Sequence, residues 1–161
     1  MDEIDLQIIK LLEEDGRMTH EEISKRLHIS RPSVHQRVAK LENNKVIKGY
    51  RGIINWNKLD EKIKAIIMVK IRCSNFKELA SNIISLDVPR VSIVEAQRLA
   101  GEWCMMLKVR VSDPQDITNL IDEMVKFPEV KETSTTFILT TILEDGLKGK
   151  DYEKAEGENG I

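Results

Sequence analysis

The chain has 161 residues, a formal net charge of −2 and a sequence pI of about 6.0, with 41% hydrophobic and 32% charged residues. This composition is ordinary for a globular protein and excludes a disordered chain. The longest apolar runs, such as Ala65 to Val69, are too short to cross a bilayer, and the opening MDEIDLQIIK lacks the positive segment of a secretory signal. We therefore expect a cytoplasmic protein without a membrane partner.

Charges are distributed unevenly along the N-terminal third of the chain. Between Arg17 and Arg51 nine cations face three acids, whereas residues 1–15 carry six acids and a single cation, Lys10. A basic patch of this kind is typical of a nucleic-acid-binding surface, whatever the net charge of the whole chain.

Three short helices are predicted in this N-terminal third. The first has apolar residues at helical spacing and ends at Gly16 in the C′ position, and the second begins at Thr19, which forms a capping box with Glu22. The third begins at Ser30, with Pro32 tolerated in its first turn. Its predicted buried stripe is Val34, Val38 and Leu41. Because only about three residues separate the last two helices, the pattern predicts a helix-turn-helix, whose second helix enters the major groove.

The outward face of the third helix is polar and basic. Gln pairs with adenine, Ser bonds to bases or phosphate, and Arg and Lys contact phosphate or guanine. The segment that follows, KVIKGYRGII, predicts a strand pair or wing with further cations. An ordinary solvated helix face is the alternative interpretation. We predict that double-stranded DNA is bound by Arg31, Ser33, His35, Gln36, Arg37, Lys40, Lys48 and Arg51.

From about Lys62 the pattern becomes strand, helix, strand, strand, helix, strand, with an internal repeat of helix, proline, valine and strand. Asn75 and Asp113 are the predicted caps of the two helices. The second helix is predicted to turn Ile117, Leu120, Ile121, Met124 and Val125 inward. Two βαβ-like halves give a ferredoxin-like βαββαβ domain, in which an antiparallel four-stranded sheet has both helices on one face. Because the other face lacks a helical cover, we predict a homodimer formed through this domain.

The predicted fold class is therefore α+β. The helix-turn-helix domain spans residues 1–48, a linker strand or wing 49–61, the ferredoxin-like domain 62–144 and a disordered polar tail 145–161. The cysteines, Cys73 and Cys104, have no metal-ligand spacing, so we expect neither a metal nor a cofactor.

The chain resembles the Lrp/AsnC (feast/famine) transcription regulators of the archaeal type over roughly residues 1–144. The matching stretches are DEIDLQIIKLLEEDGR, EISKRLHISRPSVHQRVAKLE, VIKGYRGIIN and the βαββαβ pattern behind them. The resemblance implies a winged helix-turn-helix joined to an amino-acid-sensing domain. It also implies dimers that assemble into tetramers or octamers, with an effector bound at contacts between dimers.

Two positions depart from the family pattern. Cys104 stands where the family usually has an Asp that shapes the effector site, and a thiol cannot supply an anionic oxygen to an α-ammonium group. Three interpretations remain open: Glu102 substitutes for the family's Asp, the effector is of a different kind, or there is no effector. The resemblance implies an effector site at Gly101, Glu102, Trp103, Cys104, Ser134 and Thr136. Lys45 replaces the usual Gly after the recognition helix, so we expect Asn43 or Asn44 to adopt the left-handed conformation.

Two further functions are considered beside a regulator that binds specific DNA sequences. An architectural DNA-binding protein without an effector is one. An enzyme resembling the sirohaem decarboxylases is the other, and it requires acid–base groups in the sheet domain. All three histidines, His20, His28 and His35, lie instead in the helix-turn-helix segment. We therefore do not expect an enzyme.

Overall fold

The structure, a computed structural model, describes residues 1–59 and 61–148. The chain divides into two compact units, Met1–Ile53 and a second that begins at Ile54. Its elements are α1 (Glu3–Glu14), α2 (His20–Leu27), α3 (Arg31–Asn43), a 3-10 helix (Trp56–Lys58), β1 (Ile63–Ile71), α4 (Phe76–Ile84), β2 (Val91–Arg98), β3 (Met105–Val111), α5 (Pro114–Met124), β4 (Val130–Phe137), β5 (Leu143–Glu144) and β6 (Leu147–Lys148). Among the described residues no helix is both long and apolar enough to span a membrane.

The first unit is a three-helix domain with its own apolar core. The predicted caps are confirmed: the side chains of Thr19 and Ser30 accept hydrogen bonds from the third residues of α2 and α3, and Thr19 forms the capping box with Glu22. The stripe predicted for α3 is also confirmed, because Val34, Val38 and Leu41 are buried. The core consists of Ile8, Met18, Ile23, Val34, Val38 and Leu41.

The turns at the two ends of α3 use left-handed backbone. His28 caps the end of α2 with φ 53°, which turns the chain into α3. After α3 the expectation for Asn43 or Asn44 is wrong: Asn43 remains in α3, Asn44 has φ −80°, and Lys45 itself adopts φ 58°. The turn needs left-handed backbone at the family's glycine position, and the chain keeps that geometry with a lysine in it.

The predicted wing is not formed within the described chain. Residues 46–55 have no regular structure, and the 3-10 helix Trp56–Lys58 follows them. An extended segment becomes a β-strand only when another strand pairs with it, and no described strand pairs with this one. Several apolar side chains of this segment, Val46, Tyr50, Ile53 and Ile54, are instead exposed, and so is Leu59 after the 3-10 helix.

The second unit has the predicted ferredoxin-like topology. Its sheet has the strand order β2-β3-β1-β4, and all neighbouring strands are antiparallel. The register opposes Ala65 to Val109 and Ile67 to Leu107, and these buried side chains pack against Leu79 and Ile83 of α4. Apolar residues of α5 complete the same core: Ile117, Leu120 and Met124. Both helices therefore cover one face of the sheet.

The cap of each helix in this unit is also as predicted. Asn75 accepts a hydrogen bond from the backbone N–H of Glu78, and Asp113 accepts one from the N–H of Gln115. The prediction that Val125 points inward is wrong, because this residue is 52% exposed. It follows the last residue of α5 as the C-cap, where the chain leaves the helix and the apolar stripe ends.

The predicted disordered tail begins too early. Residues 143–148 form a short hairpin of β5 and β6, with Asp145 and Gly146 at φ 52° and 77° in its two-residue turn. Both central positions of such a turn need positive φ, which Asp-Gly supplies readily. Residues 149–161 of the predicted tail lie outside the described residues.

The hairpin is bonded to the sheet face that the helices leave open. Side chains of β1 and β3 on that face donate to the carboxylate of Glu144. Lys64 Nζ lies 2.6 Å and Arg110 Nη2 lies 3.0 Å from its Oε2, and Lys108 Nζ donates to its Oε1. We call this group of four the Glu144 cluster.

Candidate nucleic-acid interface and ligand site

The outer side of α3 carries the residues predicted to contact DNA. Arg31, His35, Gln36 and Lys40 are exposed, and Ser33 is half-buried. Ser33, Gln36 and Lys40 line one open concavity of about 390 Å³, together with Arg37 and the start of α1. Their side chains therefore share one accessible surface, with hydroxyl, amide and ammonium groups side by side.

The start of α1 forms the other wall of this concavity. Met1, Asp2 and Asp5 line it, and the two aspartates form a reciprocal capping box. The backbone N–H of Asp5 donates to Asp2 Oδ1 at 2.9 Å, and that of Asp2 donates to Asp5 Oδ2 at 3.1 Å. The acidic beginning of the chain thus lies beside the basic helix.

Arg37 is bonded within the protein. Its Nη1 donates to both carboxylate oxygens of Asp2, at 2.7 and 2.8 Å, and to Asp5 Oδ1 at 2.6 Å. A hydrogen bond from Arg37 lowers the pKa of Asp2, and the backbone bond to Asp2 followed by Arg37 lowers the pKa of Asp5. The bond to Asp2 in turn raises the pKa of Arg37. This network joins the first turn of α1 to the middle of α3 and keeps all three groups charged.

The remaining residues predicted for DNA contact are not among those that line this concavity. The His35 ring is 5.4 Å from the ring of His20, which begins α2. Lys48 and Arg51 are exposed on the irregular segment after α3. The structure thus gathers Ser33, Gln36 and Lys40 in the concavity and leaves Arg31, Lys48 and Arg51 exposed outside its lining.

A second polar cluster lies where the resemblance placed an effector site. Lys70 Nζ donates to Glu102 Oε1 at 2.7 Å and to Glu132 Oε2 at 2.6 Å, and it lies 4.9 Å from the ring centre of Trp103. The hydrogen bond with Lys70 lowers the pKa of Glu102, and it raises the pKa of Lys70. Two carboxylates therefore share one ammonium group beside an indole ring.

The other residues of that expected site have different positions. Cys104 closes the β2–β3 loop, and its thiol donates weakly to the carbonyl of Ile71 at 3.4 Å, which is a structural contact. Gly101 has φ 137° in the same loop. Ser134 and Thr136 are exposed on β4, opposite Met68 and Ile66, so they point to the same sheet face as Lys70.

Sequence reasoning did not identify Asp2, Asp5, Lys70 or Glu132. The pair Asp2 and Asp5 has the spacing of a capping box ahead of an apolar run, and this signal was available. The contact of Lys70 with Glu132 depends on the register of β1 and β4, which no local pattern encodes. Within the described residues no group of three His, Cys, Asp or Glu side chains could hold a metal ion.

Comparisons with known proteins agree with this architecture. Residues 1–42 match the AsnC-type helix-turn-helix domain and residues 64–147 match the Lrp/AsnC ligand binding domain. The HTH-type transcriptional regulator FL11 of Pyrococcus horikoshii is 33% identical over 141 residues, which are 88% of this chain and 91% of that protein.

Solved structures have the same fold. LrpC of Bacillus subtilis is 29% identical with a TM-score of 0.76, covering 88% of this chain and 96% of its own. A transcriptional regulator of Neisseria meningitidis, solved as a complex with L-Met, has a TM-score of 0.80 at 23% identity and covers 89% of this chain and 93% of its own. The chain therefore belongs to the Lrp/AsnC family of transcriptional regulators, in its archaeal type.

Proposed function

We propose that this regulator recognises a specific duplex sequence by inserting the outer face of α3 into the major groove. The observation that carries the proposal is that Ser33, Gln36 and Lys40 share one open concavity at the surface. An amide can pair bidentately with adenine, a hydroxyl can bond to a base or a phosphate, and an ammonium can neutralise a phosphate. A cytoplasmic location follows from this target.

Arg37 has a different role in this proposal from the direct DNA contact expected from the sequence. Its Nη1 is bonded to Asp2 and Asp5, and its side chain is only 29% exposed. We therefore assign Arg37 to the orientation of α3 against α1. Phosphate neutralisation is assigned to the exposed cations Arg31, Lys40, Lys48 and Arg51, with His35 beside the phosphates.

The test of this proposal selects duplexes from a random pool and then measures affinity as a function of salt. We expect a defined consensus. Gln36→Ala should weaken binding by about 1–3 kcal/mol and relax the preference at one base pair. Lys40→Ala should weaken binding to all sequences and reduce the salt slope by about one unit.

Lys126→Ala, just after α5 in the second unit, is the matched control and should bind as the parent does. The alternative of an architectural DNA-binding protein predicts a pool without a consensus. If both α3 variants bind DNA as the parent does, α3 is not part of the DNA interface.

The proposal includes a homodimer that forms through the second unit and assembles into tetramers or octamers. Several side chains between residues 137 and 147 are exposed apolar groups: Phe137, Leu139, Ile142, Leu143 and Leu147. Exposed apolar side chains in such number are typical of a protein interface. Leu139 is 95% exposed, which a partner surface would relieve.

An amino acid is the effector that the polar cluster of Lys70, Glu102 and Glu132 beside Trp103 fits best. Its α-ammonium group could take the place of Lys70 between the carboxylates of Glu102 and Glu132, with an apolar side chain against Trp103. We expect one or more of the twenty amino acids to raise the melting temperature of the parent and to lose this effect in Glu102→Gln. Glu95→Gln on β2 is the control. If none of the twenty amino acids raises the melting temperature of the parent, the proposal of an amino-acid effector is contradicted.

The enzyme alternative receives no support from the relatives, which are named transcriptional regulators. The proposal accordingly assigns no catalytic residue.

A further inference from the structure

The Glu144 cluster has more positive charge than its single carboxylate can balance. Three cations, Lys64, Lys108 and Arg110, converge on Glu144, and their side chains are 13%, 22% and 5% exposed. Glu144 itself is 20% exposed. Among the ion pairs described for these side chains, three positive charges therefore share one carboxylate on a largely shielded part of the sheet.

Arg110 also has hydrogen-bond donors without acceptors. Its Nη2 donates to Glu144, but Nε and Nη1 are buried and have no partner among the described residues. The Trp56 ring lies 5.0 Å from its Cζ and shields the guanidinium from water. Because buried polar groups are nearly always hydrogen-bonded, two such donors on one cation indicate a missing acceptor.

Neighbouring acids in the described chain do not supply this acceptor. Glu95 lies opposite Lys108 on β2, but it is exposed and accepts a hydrogen bond from Gln97. Glu61 has one buried carboxylate oxygen, which is itself without a partner and so does not accept from Arg110. The missing acceptor must therefore come from outside this set.

Glu144 occupies the cluster as a strongly held anion. Burial raises the pKa of its carboxyl, but hydrogen bonds from Lys108 and Lys64 outweigh that effect and lower it to about 2. The hairpin that carries Glu144 has two residues in each strand, and its Leu143 and Leu147 are mostly exposed. Little apolar burial therefore holds the hairpin in place apart from these polar contacts.

We propose that Lys64, Lys108 and Arg110 form a binding site for a small dianion, and that Glu144 is its internal competitor. Two negative charges in place of the single charge of Glu144 would compensate more of the positive charge of the cluster, and the oxygens of a dicarboxylate or a phosphate would satisfy the unpaired N–H groups of Arg110. Binding displaces Glu144 and releases the hairpin from the sheet. The site is separate from the loop of Glu102 and Trp103 and does not depend on DNA binding.

The test is isothermal titration calorimetry on the full chain with succinate and with inorganic phosphate, at constant ionic strength. We expect saturable binding of one probe molecule per chain. Preference for succinate identifies a dicarboxylate site, and preference for phosphate identifies a phosphoryl site. Glu144→Gln, which weakens the competitor, should tighten binding at least tenfold.

Lys108→Met should abolish saturable binding, because it removes one of the three cations while leaving Arg110 in place. Lys126→Met, which removes an exposed cation just after α5, is the matched control and should bind as the parent does. Circular dichroism verifies that each variant is folded. No saturable heat in either the parent or Glu144→Gln overturns the proposal, and so does binding that survives in Lys108→Met.

Discussion

Lys45 has a backbone conformation that favours glycine. Its φ of 58° lies in the left-handed region, where the Cβ atom of an L-residue meets the neighbouring carbonyl. The backbone N–H of Lys45 donates to the carbonyl of Glu42, and the following N–H of Val46 donates to that of Leu41. These bonds end α3, so the chain accepts the local cost in order to complete the turn.

Replacing Lys45 by glycine should therefore stabilise the first unit. We expect Lys45→Gly to raise the free energy of unfolding by about 0.5–1 kcal/mol, since relief of the left-handed strain exceeds the greater chain entropy of glycine. Urea unfolding followed by far-ultraviolet circular dichroism measures the change. Asn44→Gly is the matched control, because Asn44 has φ −80° and should lose stability. A lower free energy of unfolding in Lys45→Gly would contradict the presence of left-handed backbone strain at Lys45.

At the scale of elements, local sequence patterns predicted the helix caps but not which strands pair. Thr19, Ser30, Asn75 and Asp113 were recognised as caps because a cap depends on residues within one turn. The wing was predicted where the described chain forms no strand, and the hairpin was not predicted, because a strand exists only with its partner. Asp145-Gly146 is nevertheless a strong turn signal, and the polar composition of the following residues concealed it.

The attachment of the hairpin should depend on pH through Glu144. Its pKa is about 2 in the folded chain against 4.5 for an unperturbed Glu, so its stabilisation is complete above about pH 4.5 and lost as the pH falls towards 2. Relative to Glu144→Gln, we expect the parent to be more stable by about 1–3 kcal/mol at pH 7, allowing for water that reaches the carboxylate.

The difference in the free energy of unfolding between the parent and Glu144→Gln should narrow as the pH falls below 4. Urea unfolding followed by tryptophan fluorescence measures it, since both tryptophans, Trp56 and Trp103, belong to the second unit. A difference that stays constant between pH 7 and pH 3 would show that the charge of Glu144 does not hold the hairpin.

At the scale of the whole molecule, the fold was predictable and the polar clusters were not. Helical and strand periodicities are local, and together they gave both domains and the order of strands. The meeting of Lys70 with Glu102 and Glu132, or of Lys64 with Glu144, depends on register and on residues 32 to 80 positions apart in sequence. Residue types alone cannot supply that information.

The exposed apolar residues of the second unit predict self-association. We expect sedimentation equilibrium at micromolar concentration to give a dimer or a larger assembly, and Leu139→Glu to shift the protein towards monomer, because a charge in the interface must be desolvated. Ile84→Glu on α4 is the matched control, since this side chain is 50% exposed on a helix that covers the other sheet face. A monomeric parent would contradict the homodimer.

The position of Met1 on the wall of the concavity has a practical consequence. Any peptide fused ahead of it starts next to Gln36 and Lys40, where incoming DNA would need the same space. An affinity tag on the amino terminus is therefore expected to depress DNA binding through simple obstruction, even in a correctly folded protein.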